Sequence, residues 1–94
     1  MYGTTILRVY EMLRASGVTE SERSFGRWLG RGPDYVRDHR RSHGMMRVSA
    51  TAAAHLRTRL VILSKQVPPC LSREIDQIIT IVDQGRAVAQ VLAR

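Results

Sequence analysis

No stretch of this chain alternates apolar and polar residues over a useful length; its apolar residues recur three and four positions apart instead. That spacing puts side chains on one face of an α-helix and denies a β-strand the two-residue period it needs. The first segment sets the pattern, with Ile6, Leu7, Val9, Tyr10, Met12 and Leu13 interrupted by Arg8, Glu11 and Arg14. It predicts an amphipathic helix from Thr4 to about Ser16, with Thr4 or Thr5 as N-cap and Gly17 as the stop. Thr19 or Ser21 opens a second, short helix that buries Phe25, Trp28 and Leu29. Gly30-Arg31-Gly32-Pro33 breaks it, because two glycines and a proline in four residues are turn chemistry.

A third helix is expected from Pro33 to Arg41, with proline in the favoured first position and Tyr35, Val36 and His39 facing inward. Ser42-His43-Gly44 ends it, and Met45 to Val48 read as a loop. Ser49 caps a fourth helix whose stripe is Ala53, Leu56, Leu60 and Leu63, and Pro68-Pro69 stops that helix. A fifth runs from about Leu71 to Ala93, carrying Ile75, Ile78, Ile79, Val82, Ala89 and Leu92. The class is all-α with five helices, organised as residues 1–66 followed by a C-terminal helix in 67–94.

Composition excludes several functions. The longest uncharged apolar stretch is about five residues, far short of a membrane span. The start, Met1-Tyr2-Gly3-Thr4-Thr5, lacks the basic and apolar regions of a signal peptide. The one cysteine, Cys70, cannot form an intramolecular disulfide or a cysteine-based zinc finger, so a reduced, cytoplasmic protein is expected. His39 and His43 have ligand spacing on a helix, but a third or fourth donor is missing, and no metal is expected. There is no nucleophile turn, and Gly30-x-Gly32 lacks the lysine and preceding strand of a phosphate loop. Neither an enzyme nor a cofactor is expected, and no small-molecule ligand is evident. Five aromatics, most at core spacing, are too few for a single-strand stacking platform.

Charge is the positive signal. The net charge is +7, and of fifteen basic residues all but Lys65 are arginine. Residues 23–59 hold nine arginines against two acids, Asp34 and Asp38, while the rest of the chain holds six basic and six acidic groups. The whole excess therefore lies on one contiguous segment, the electrostatic footprint of a nucleic-acid binder. Within it, Gly26 offers a small residue where a following helix would cross. Gly30 offers a positive φ for a sharp turn, and Phe25, Leu29 and Val36 offer wedges between two helices.

Residues 22–41 resemble the helix-turn-helix of the lambda-repressor and Cro-like family of phage and bacterial regulators, and the likeness extends more loosely from Thr4 to Leu63. The resemblance implies a five-helix domain that reads duplex DNA with its third helix. By position it assigns base contacts to Gly32, Pro33, Asp34, Arg37, Asp38 and Arg41. Arg37 or Arg41 would suit guanine, and Asp34 or Asp38 would orient an arginine or accept from cytosine. Arg23, Arg27, Arg31 and Arg47 flank that helix, Tyr35 and Arg40 lie on it, and all six are expected on phosphates. Such domains work as homodimers on palindromic sites, here through the long C-terminal helix. Its apolar stripe of Ile75, Ile78, Ile79, Val82, Ala89 and Leu92 would meet its copy, and Gly85 would mark a bend or a close crossing of backbones. The expected function is a transcriptional regulator of repressor type, partnered by double-stranded DNA and by itself. The alternatives are a helical interaction module of antitoxin or antiactivator type, and an excisionase-like architectural factor.

Overall fold

The computed structural model describes residues 1–92 and contains five helices: α1 (Gly3–Ala15), α2 (Glu22–Trp28), α3 (Tyr35–Arg41), α4 (Ala50–Gln66) and α5 (Pro69–Leu92). The two prolines between α4 and α5 act differently. Pro68 cannot extend α4, which ends on an extended Val67 (φ −107°, ψ 162°). Pro69 is the first residue of α5, where its missing N–H has no helical partner in any case. So α5 starts two residues ahead of the expected Leu71.

That tight connection folds α4 and α5 into an antiparallel hairpin. Ser64 donates to Asp76 Oδ1 (2.8 Å) near the connection, and Arg57 pairs with Asp83 (2.8 Å) further along. α1 runs antiparallel to α5 on another side, with Ser16 bonded to Glu74 at one end. At the other end Gly85 lies so close to Thr5 that a Cβ on it would stand 2.9 Å from the threonine Oγ1. Gly85 therefore makes room for the side chains of Thr5 and Met1, not for the crossing of a second backbone. α2 and α3 pack on each other, and α3 packs on α1.

One apolar cluster serves all five helices. It includes Ile6, Val9, Tyr10 and Leu13 from α1, Phe25 from α2, Val36 from α3, Leu56 and Leu60 from α4, and Ile75, Ile78 and Val82 from α5. Burying each such side chain is worth about 1.5–3 kcal/mol, which makes this cluster the main stabilising term. The C-terminal helix thus shares the core of residues 1–66. The dimer stripe read from the sequence is corrected accordingly: Ile75, Ile78 and Val82 are completely covered by their own chain, Ala89 is buried, and Ile79 is partly buried. A helix hydrophobic enough to meet a copy is equally able to cover α1 and α4. Of the expected set, only Leu92 is well exposed.

The start of α1 also departs from expectation. Its N-cap is Tyr2, with no side-chain cap, rather than Thr4 or Thr5. Two orphan donors of the first turn are satisfied from a distance instead: Gly3 N–H donates to the Met46 carbonyl (2.8 Å) and Thr4 N–H to the Gly44 carbonyl (3.1 Å). Val48 N–H returns a bond to the Met1 carbonyl (2.9 Å), and Tyr2 forms a single antiparallel bridge with Arg47. The segment after α3 turns back through two left-handed residues, His43 (φ 54°) and Gly44 (φ 73°), to make this pairing. No described helix is long and apolar enough to cross a membrane.

Candidate nucleic-acid interface

α2 begins at Ser21, whose hydroxyl accepts from Ser24 N–H (3.1 Å), and Glu22 adds negative charge to the first turn. Its other end closes through Gly30, at φ 71°. Gly30 N–H donates to Arg27 and Arg31 N–H to Gly26, the paired bonds of a Schellman stop. The turn then passes directly over α2. A Cβ on Gly26 would collide with the Gly32 carbonyl oxygen and touch Tyr35 Cβ (3.5 Å). Gly26 and Gly30 are both needed, one for close approach and one for backbone hand. Phe25, Leu29 and Val36 fill the angle between the helices, as their spacing suggested.

α3 starts at Tyr35 rather than Pro33, so Gly32, Pro33 and Asp34 belong to the turn and its exit, all three exposed. Asp34 Oδ1 pairs with Arg37 Nη2 at 3.1 Å, joining the turn to the exposed side of the helix. Asp38 and Arg41 are also exposed, and Arg41 lies one helical turn beyond Arg37. Tyr35 is partly buried, with its ring edge-on to His39 at 4.8 Å.

Of the nine arginines of residues 23–59, Arg37 is paired with Asp34 on the surface and the other eight divide into two groups. Arg40 bonds Glu22 and Glu11 (2.7 Å to Oε1 of Glu11), tying α3 to α2 and α1. These bonds, that to Glu22 foremost, raise its guanidinium pKa. Arg47 donates to the Ala89 carbonyl (3.0 Å) and lies over the Tyr2 ring. Arg57 is paired with Asp83, and Arg59 donates to the Trp28 carbonyl (3.0 Å) while covering the indole. These four are bound into the fold, which places Arg40 and Arg47 apart from the rest of the expected phosphate set. By contrast, Arg23, Arg27 and Arg41 have no ion pair or hydrogen bond among the described residues. Arg31 makes only a 3.3 Å bond to the Ser49 hydroxyl. Within residues 23–59, the charge left uncommitted therefore lies on α2, the turn and α3.

That Arg59 caps the end of α2 is not legible from the chain alone, since a bond across thirty-one residues leaves no local trace. His39 is buried, and neither ring nitrogen has a hydrogen-bond partner among the described residues. His43 lies past the end of α3, so the two histidines do not share a helical face.

A family profile matches residues 6–88, which takes in all five helices. The chain belongs to DUF6626, a family of unknown function. No curated protein and no solved structure matches this DUF6626 chain.

Proposed function

We propose that this protein is a sequence-specific double-stranded DNA-binding regulator of lambda-repressor-like build, with α3 in the major groove. The observation that supports it is the partition of the arginines in residues 23–59: Arg40, Arg47, Arg57 and Arg59 are tied into the fold, whereas Arg23, Arg27, Arg31 and Arg41, on α2, the turn and α3, are left for a ligand. In this reading Arg37 and Arg41, with Asp34 and Asp38 beside them, read base edges, and Gly32 and Pro33 bring the backbone close. Arg23, Arg27 and Arg31 neutralise phosphates and fix the register. A seven-residue helix reaches only about four or five base pairs, so a second copy is needed to specify a site. The protein acts as a homodimer and represses by covering a promoter. The surface that serves pairing in this reading is the exposed end of α5, where Val88, Val91 and Leu92 remain uncovered.

The test is a salt titration of binding to fluorescent duplex DNA, first of unrelated sequence and then of sequences selected from a random pool. Binding should weaken linearly with the logarithm of salt, with a slope near 0.9 per phosphate contacted. Selection should return a palindrome. Absence of duplex binding at low salt would end the DNA reading and favour an acidic protein partner. Binding without sequence preference would favour an architectural role.

A further inference from the structure

Beside the pairing of the N-terminal segment with the loop after α3, the ends of α4 and α5 leave a cavity of about 450 Å³. This lies within the roughly 300–1,000 Å³ range of small-ligand sites. Val48, Ala53 and Ala89 give it an apolar lining, and Arg47 and Arg86 bring two guanidinium groups. None of the residues around it is acidic, and the first turn of α4 carries no acid either. Arg47 uses a nitrogen on the Ala89 carbonyl, which holds its guanidinium at the rim. Arg86 has no ion pair or hydrogen bond among the described residues. The Met1 ammonium is close enough to feel both: its pKa is lowered by burial first, then by Arg47 and Arg86. Arg47 and Arg86 thus line one cavity with no acidic residue in its described lining.

We propose that this cavity binds a small organic anion, a phosphate monoester or carboxylate carried on an apolar body. The anionic head would lie between Arg47 and Arg86, where charge-assisted bonds are strongest and like-charge repulsion is relieved. The apolar body would cover Val48, Ala53 and Ala89. A DNA backbone has no apolar part to place there, which favours a small molecule. The site stands apart from α2 and α3 and does not depend on the DNA reading: a chain that ignores duplex can still bind such an anion.

The experiment uses the full chain, labelled with 15N, titrated with phenyl phosphate, inorganic phosphate and benzyl alcohol at constant ionic strength. Phenyl phosphate should give saturable shifts of the Ala53, Arg86 and Gln90 amides. Inorganic phosphate and benzyl alcohol should each bind about tenfold more weakly or worse, since each lacks half of the match. Arg86→Gln should weaken phenyl phosphate at least about tenfold with an otherwise native spectrum, and Arg86→Lys should recover most of it. The proposal fails if those amides do not saturate, if benzyl alcohol matches phenyl phosphate, or if Arg86→Gln binds as well as the parent. It also fails if shifts spread instead over Arg23, Arg27 and Arg41, which would be general ion binding. A duplex that shifts the cavity amides where phenyl phosphate does not would make the cavity a backbone contact and overturn the assignment.

Discussion

Gly26→Ala puts two effects of opposite sign at one atom. Alanine is the better helix former, and in an exposed helix interior the exchange stabilises by roughly 0.5–1 kcal/mol. Gly26, however, is buried beneath the turn, and a Cβ there meets the carbonyl oxygen of Gly32, a backbone atom with no rotamer to change. Relief requires the turn to lift by about an ångström. That movement would strain the bond from Arg31 N–H to the Gly26 carbonyl, now 2.8 Å, and loosen Tyr35 from α2. Overpacking of this kind costs about 1–3 kcal/mol, so the balance is a net loss of up to about 2.5 kcal/mol, centred near 1. For a domain of this size a loss of about 1 kcal/mol lowers the melting temperature by roughly 4–8 °C. Thermal melting followed by circular dichroism at 222 nm, with Ser24→Ala on exposed α2 as the control, measures it. A melting temperature equal to or above the parent's would mean that helix propensity decides, and the close approach of turn to helix would be refuted.

On a selected site, Arg37→Ala should cost about 1–3 kcal/mol and relax preference at one base pair, whereas Arg23→Ala should weaken all duplexes alike; equal behaviour of the two would remove the division of roles. Arg40→Gln should leave the salt slope unchanged, because that guanidinium is held by Glu11 and Glu22, and a slope reduced by about one would make it a phosphate contact after all. Burial holds the His39 imidazole below its ordinary 6.5, with Asp38 pulling weakly the other way. The unfolded chain therefore takes up the proton first, and stability should fall as pH drops through 6.5, by at most about 1.4 kcal/mol per unit; His39→Phe, if it folds, should flatten this, and an unaltered pH profile would clear His39 of the role. Val82→Asp should abolish cooperative melting, whereas Leu92→Asp should melt like the parent and, by light scattering, lose the dimer; persistence of dimers would move the interface off the end of α5.

Helix positions were legible because the breakers are strong: Gly17, Gly30 and Pro68 fall where helices stop, and Ser21 and Ser49 both cap through their hydroxyls. The start of α1 was not, because its partners are carbonyls forty or more residues away and a local rule can only offer the nearest threonine. The turn was legible for the same reason as the helices, since Gly26 and Gly30 answer two separate steric demands. What periodicity could not decide was which protein α5 covers. Ile75, Ile78 and Val82 would look the same in sequence whether they faced α1 and α4 or a second copy. Charge had a similar blind spot: counting arginines finds the segment, but only coordinates separate Arg40 and Arg59, tied to neighbours, from Arg23 and Arg27.

The pairing of Gly3 and Thr4 with Met46 and Gly44 has a consequence for hydrogen exchange. The first amides of an N-terminal helix ordinarily exchange within the dead time, because the first turn frays on its own. Here those protons are held by carbonyls of the segment that follows α3, so they can be released only when that segment peels away. The opening of α1 at its beginning and the loosening of α3 at its end become one event with one free energy. The amides of Gly3, Thr4 and Val48 would then exchange at a shared rate, and any ligand that steadies α3 would slow all three together.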